Sequence, residues 1–361
     1  MKALTILIFT IVFLSCQDSS HPEPNPDTTY FPPAGSTSWE TVDTATLGWN
    51  TTALDDLESF VDDADTRALI ILKNGRIAFE HYNGEGALGG TFTNRSIWYW
   101  ASAGKTLTSF LIGKAKEEGL LSLDDKTSDY LGEGWTSLAK DQEDQITVRN
   151  QLTMTSGLND VGIDSDCTNP ECLEFRTEPG NRWAYHNAPY TLLSNVVESA
   201  TGTDFDTYFK SQLTNKIGMD GYWTYLGYNH VYFSTARSMA RFGLLVMNDG
   251  KWGDEVIMSD TNYFHEMINS SQDINPSYGY LWWLNGKESH MLPGLQLNIN
   301  KQICPSAPAD MISGLGKNGQ FVCIVPSEEL VVIRMGNSPD GSLVPTTFLN
   351  NLWEKVDAVI F

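Results

Sequence analysis

The chain has 361 residues, 41% of them hydrophobic, which suits one large domain or two lobes around a substantial core and excludes a disordered protein. Asp and Glu number 45 against 23 Lys and Arg, and the resulting formal net charge of −22 excludes a nucleic-acid partner, whose phosphates would be repelled. No GxGxxG or phosphate-binding loop and no internal repeat occurs, so no cofactor is expected.

Lys2, the apolar run Ala3 to Leu14, Ser15 and Cys16 read as a signal peptide over residues 1–15, too short to span a bilayer comfortably. The small residue before Cys16 resembles a bacterial lipoprotein cleavage site, with Cys16 as the lipidated residue. Residues 16–38 are rich in Pro, Ser, Asp and Thr and suit a tether, so the folded part is expected from Trp39. The expected location is that of an exported lipoprotein, periplasmic or anchored in the outer membrane, touching membrane only through its N-terminal lipid.

Leu54 to Val61 predicts a helix, with Thr51 and Thr52 as caps. A hairpin follows, joining Ala68–Leu72 to Arg76–Tyr82 across Asn74 and Gly75, the dipeptide best suited to a tight reversal. Next comes Trp100 to Gly119, WASAGKTLTSFLIGKAKEEG, read as a helix whose apolar face carries Leu107, Phe110, Leu111 and Ala115. Ser102 and Lys105 stand three apart on one face of it. A serine hydroxyl is a weak nucleophile until a base takes its proton, and a desolvated lysine is neutral enough to serve. The same spacing recurs at Ser137 and Lys140, but no amphipathic helix buries that lysine, and the repeat is read as chance.

Helices are expected over 148–157, 188–202, 204–218 and 235–250, each ending in Gly. Strands are expected at 278–284, 321–325 and 330–336, and residues 350–361 close the chain as a helix. Strands at both ends with helices between describe an α/β (α+β) protein: an α/β lobe over about 39–118 and 276–361 carrying a helical lobe over about 119–275. Apart from Cys16 the cysteines are Cys167, Cys172, Cys304 and Cys323. Cys167 could close a short loop with Cys172, and Cys304 could tie a loop to the strand of Cys323. Disulfides are favoured over a metal site because the histidines show no ligand spacing near them.

In PGNRWAYHN, Tyr185 and Asn187 precede a helix; a phenol can relay a proton and an amide both donates and accepts, so the pair suits acid–base work beside Ser102. His186 between them reads as a bystander. SAGK, ITVRNQLTMTSGL, PGNRWAYHN and VYFSTARSMARFGLLVMNDGKW, in this order, resemble the serine β-lactamase-related hydrolases: class C β-lactamases, penicillin-binding-protein-like peptidases, esterases and 6-aminohexanoate-dimer hydrolases. The likeness covers most of residues 40–361. It implies a β-lactamase/transpeptidase-like fold, an antiparallel sheet flanked by helices, with Ser102 as nucleophile, Lys105 as base, and Tyr185 and Asn187 from the second lobe. The spacing of Gly316, Gly319 and Pro326 matches relatives whose cleft strand would here be Gly314, Leu315 and Gly316, rather than Lys317, Asn318 and Gly319. That register leaves no cation at the first motif position. It implies an oxyanion hole from the backbone amides of Ser102 and Lys317, and points to the esterase and amide-hydrolase branch.

The expected function is hydrolysis of an ester or amide bond of a small molecule through an acyl-enzyme. The alternatives are a β-lactamase or a D-Ala-D-Ala carboxypeptidase-like peptidase and, from another class, a muropeptide-binding lipoprotein without turnover. An α/β-hydrolase elbow around Ser102 is disfavoured, because Trp100 stands at its first glycine position and Lys105 would be unexplained.

Overall fold

The computed structural model describes residues 28–361. The expected signal, Cys16 and most of the tether lie outside the described residues. Of the rest of the tether, Tyr30 N donates to Asn74 O, Phe31 packs edge-on against Trp252, and Arg241 donates to the carbonyls of Pro32, Pro33 and Ser36. The docked chain therefore begins before Trp39, held by hydrogen bonds that composition does not advertise. Among the described residues no helix is long and apolar enough to cross a membrane.

The principal sheet has strands β1 (Thr66–Lys73), β2 (Arg76–Tyr82), β3 (Trp283–Leu284), β4 (Ile312–Gly316), β5 (Gln320–Val325) and β6 (Leu330–Gly336). They lie in the order β2-β1-β6-β5-β4-β3, every pair antiparallel. The continuous apolar run Leu69 to Leu72 is fully buried, as a strand covered on both faces requires. On one face Gly243 of the helix Ala236–Met247 sits against Val322 and Val331. On the other, Phe348 of the C-terminal helix Thr346–Ile360 stacks on Phe321 and on Phe60 of the helix Leu54–Asp63. Phe321 and Val322 are successive residues and so point to opposite faces. Asn74 (φ 49°) and Gly75 (φ 76°) turn the first hairpin with positive φ at both positions, as a type I′ turn demands.

The helical lobe is more broken than its periodicity suggests. The expected helix at 148–157 stops at Leu152, and Met154 takes φ 57°. Residues 188–202 form two helices, Asn187–Thr191 and Leu193–Thr201, and 204–218 includes a wide turn at Lys210–Thr214. Of 278–284 only Trp283–Leu284 is strand, because Leu281 at φ 65° turns the chain. A second sheet, Trp98–Tyr99, Asn229–Ser234 and Tyr222–Leu226, is an addition to the expected elements. Its hairpin was encoded by the aromatic-rich YWTYL and NHVYFS flanking Gly227.

Cys167 and Cys172 form the expected disulfide, with S–S 2.02 Å. The second pairing is corrected: Cys304 and Cys323 are buried free thiols. Cys323 lies beside Trp353 and within electrostatic reach of Cys304, whose thiol meets the backbone amides of Ala307 and Ser306. Burial pushes the Cys304 thiol up to about 12.

Candidate active site

The chain enters the site from Trp98–Tyr99, and Trp100 N donates to Tyr232 O at 2.8 Å, fixing the approach. Ala101 then adopts φ 47°, a costly left-handed conformation for a residue with a Cβ. This turn presents Ser102 on a short 3₁₀ segment, Ala101–Gly104, and the α-helix begins only at Lys105, running to Glu117. That helix is buried almost all round from Lys105 to Ala115, so it is a central helix rather than a surface one with a single apolar face.

Lys105 is 3% exposed, and its Nζ donates to Ser102 Oγ at 3.2 Å. The ammonium also faces two rings, Tyr190 with its centroid at 4.0 Å and Tyr185 at 5.2 Å. Burial lowers its pKa to about 7, against a smaller upward pull from the Asp166 carboxylate. Desolvation raises the Tyr185 phenol above its ordinary value, while a hydrogen bond with Ser102 draws it down. Tyr185 is held by stacking on Trp283 and edge contacts with Tyr278. An amine that exchanges between its neutral and charged forms near neutral pH, a hydroxyl and a protonated phenol therefore meet at one point.

A cavity of about 430 Å³ opens over this point, lined by Ser102, Lys105, Tyr185, Asn187 and Lys317. β4 packs against the Ser102 turn; its own residues are outside the cavity lining, which the next residue, Lys317, joins. A Cβ added to Gly316 would lie 2.6 Å from Trp100 O and 3.0 Å from Ala103 N, so this strand approaches the Ser102 turn backbone to backbone. Gly314 is likewise close to Ala103 and Thr106, and buried Leu315 points the other way. Lys317 begins the tight turn Lys317–Gly319, where Asn318 has φ 64°, so Lys317 stands past the end of the strand with its side chain exposed at the cavity.

Asn187 sits in the cavity wall, but its amide donates to Asp166 Oδ1 at 2.7 Å, and no hydrogen bond joins it to Lys105. His186 is 2% exposed and outside the cavity lining; burial lowers its pKa to about 4. The second Ser–Lys spacing is far from such chemistry: Ser137 donates to Leu173 O and exposed Lys140 pairs with Glu133 and Asp144. His81, Glu58 and Asp62 form the one possible metal-binding trio among the described residues. It is explained as an ion-pair cluster, the two ring nitrogens facing different carboxylates at 3.5 and 2.7 Å.

Asp166, Tyr190 and Asn229 also line the cavity and went unseen in sequence reasoning. Tyr190 lies three residues after Asn187, one helical turn on, which could have flagged it. Asp166 and Asn229 stand in loop and hairpin segments where spacing carries no such signal.

Comparison with known proteins places this geometry. An uncharacterised protein of Alkalihalophilus pseudofirmus is 26% identical over 316 residues, 77% of this chain and 87% of its own length. The D-alanyl-D-alanine-carboxypeptidase/endopeptidase AmpH of Escherichia coli is 25% identical over 168 residues, 42% of this chain and 43% of its own. In structure, a Bacillus anthracis protein provisionally named 6-aminohexanoate-dimer hydrolase superposes with a TM-score of 0.67 at 16% identity, covering 92% of this chain and 88% of that one, which shows the shared fold. The family model Beta-lactamase matches residues 57–347, most of the folded chain, and the protein belongs to that serine-hydrolase-like family.

Proposed function

We propose that the protein is a serine hydrolase that cleaves an ester or amide bond of a small substrate through an acyl-enzyme. The observation that carries this reading is the buried Lys105 amine 3.2 Å from Ser102 Oγ, beside Tyr185 and open to a cavity. Neutral Lys105 takes the hydroxyl proton as Ser102 Oγ adds to the carbonyl carbon. In this proposal the oxyanion is held by the backbone amides of Ser102 and Lys317; the close approach of Gly316, the residue before Lys317, to the Ser102 turn supports it. Collapse breaks the bond to the leaving group, which takes a proton from Tyr185; the phenol is reprotonated by Lys105. Water then attacks the acyl-enzyme, losing its proton to the same pair, and releases the acid and free Ser102.

Replacing Tyr185 by Phe is expected to lower kcat on the order of 10²-fold with a smaller change in KM, measured by steady-state kinetics on an active ester. The cavity rim is apolar, with Leu226 53% and Leu343 58% exposed, which favours an apolar acyl or leaving group. Leu226→Asp combined with Leu343→Asp should raise KM about tenfold for a hexanoate ester and hardly for the acetate.

A second reading has its own observation. Gly314 leaves the strand without a cation, yet the exposed Lys317 lines the cavity and could meet a substrate carboxylate, as a β-lactam or a D-Ala-D-Ala-like peptide would require. Export as a lipoprotein is part of the same proposal, supported by the Cys167–Cys172 disulfide, which suits an oxidising compartment. The deciding experiment is a turnover panel of short-chain esters, linear amide oligomers, D-amino-acid peptides and a chromogenic β-lactam, with Ser102→Ala as control. Ester or amide turnover that is lost in the control supports the proposal. Faster turnover of the β-lactam favours the second reading, and no turnover of any class favours a binding protein.

A further inference from the structure

Asp166, in the cavity lining, joins two separate elements of the wall around Lys105, the start of the helix Asn187–Thr191 and the strand Asn229–Ser234. Its Oδ1 accepts from Asn187 Nδ2 at 2.7 Å and its Oδ2 from Asn229 Nδ2 at 2.8 Å. A carboxylate only accepts, so both amides must turn their NH₂ groups toward it and their carbonyl oxygens away. The sense of the Asn187 amide is thereby fixed, and its Oδ1 is buried with no hydrogen-bond partner. Left alone, an amide at that position could rotate by half a turn and offer a donor instead.

The segment carrying Asp166 is itself pinned. Ala188 N donates to Ser165 O at 3.0 Å, tying it to the start of the Asn187 helix. Cys167, the next residue, is closed to Cys172, and Asn169 Nδ2 reaches Tyr228 OH at 3.3 Å, tying the loop to the hairpin that carries Asn229. A loop so held fixes a carboxylate far better than a free one would.

We propose that Asp166 is a positioning residue of the active site, acting through Asn187: it holds the Asn187 amide with its buried oxygen free to accept from Lys105. The assignment rests on the reading of Lys105 as the base. One of the two N–H bonds of the Asn187 amide is committed to Asp166, and the other stays available to a substrate acceptor. The carboxylate acts on Lys105 by charge as well. Facing Lys105 are Ser102, the Tyr185 and Tyr190 rings and Asp166, with Asp160 and Lys317 in the same cavity; facing Asp166 are Asn187, Asn229, Lys105 and His186.

The test is a double-mutant cycle of Asp166→Ala and Asn187→Ala, read as kcat/KM against pH on the best ester or amide of the panel. Each single change should lower the plateau about 10- to 100-fold, and the double variant should be no worse than Asn187→Ala alone. Because Asp166 stabilises the ammonium, its loss should also move the acidic limb, where Lys105 deprotonates, to lower pH. Asp166→Asn should move that limb in the same direction, and it carries the test if the alanine variant fails to fold. Losses that multiply in the double variant, or an acidic limb that stays in place, would overturn the assignment. Labelling of Ser102 by a fluorophosphonate probe separates the two levels. A labelled enzyme indifferent to Asp166 substitution refutes only the positioning role, whereas an unlabelled wild type refutes the hydrolase reading beneath it.

Discussion

Lys105→Met is expected to lower kcat/KM by on the order of 10⁴- to 10⁶-fold, the scale seen when one member of a nucleophile–base unit is removed. The substitution keeps the length and apolar stem of a side chain that is 3% exposed, so packing against Tyr190 and Tyr185 should survive. What disappears is the amine 3.2 Å from Ser102 Oγ. The pH dependence of the unmodified protein supplies the companion result. Burial holds the Lys105 pKa at about 7, so the base is protonated and idle below that pH and neutral above it. Activity should therefore rise through about pH 7, many units of proton activity below where an exposed lysine would titrate, and this limb should be absent from any residual activity of Lys105→Met.

Gly316→Ala should have the second large effect, and it acts from the strand packed against the Ser102 turn. Its Cβ would come within 2.6 Å of Trp100 O and 3.0 Å of Ala103 N, both backbone atoms of the turn that presents Ser102. Backbone cannot swing aside as the end of a side chain can, so β4 or the turn must move. Loss of stability of about 1–3 kcal/mol is expected from overpacking, with kcat about 10²-fold lower because Lys317 N follows Gly316 directly and leaves its place with it. Gly314→Ala is the control. Its nearest contacts are the side chains of Val322 at 2.8 Å and Thr106 at 3.0 Å, with Ala103 O at 3.3 Å, so it should cost stability with a smaller loss of kcat. Thermal unfolding beside steady-state kinetics separates the two outcomes.

The parts of the fold written in local pattern could be read from the chain. Asn74–Gly75 requires its reversal, Leu330–Gly336 is an apolar run interrupted only by Arg334 and ending at glycine, and the helix after Lys105 repeats its apolar residues at helical spacing. Glycine spacing pointed to a strand at Gly314–Gly316, and a strand, Ile312–Gly316, lies there, packed against the Ser102 turn and outside the cavity lining. What was not legible depends on tertiary contact. The 3₁₀ turn under Ser102 exists because Trp100 is pinned to Tyr232 and Ala101 is forced to positive φ, neither of which a helical period records. Cys304 and Cys323 are free thiols although each is buried near the other, and parity of cysteines says nothing about that. Asp166 was invisible for the same reason, since its meaning comes from Asn187 and Asn229, 21 and 63 residues away.

The site explains why chemistry is better determined than substrate. Ser102, Lys105 and Tyr185 are fixed by burial, ring stacking and a helix start, and their roles follow from elementary acid–base reasoning. The surroundings are mixed in sign and polarity, with Asp166 and Asp160 on one side, Lys317 on another and Leu226 and Leu343 at the mouth. On the proposed function such a cavity would take a small ester or amide, and Lys317 would offer a cation to a carboxylate, so the substrate panel includes both.

The most direct test of the central claim is intact-mass analysis after exposure to a fluorophosphonate probe, with peptide mapping of the adduct. A single adduct on Ser102 in the wild type, absent in Ser102→Ala and strongly slowed in Lys105→Met, is the predicted result. A wild type that stays unmodified, or an adduct that persists in Ser102→Ala, would contradict it.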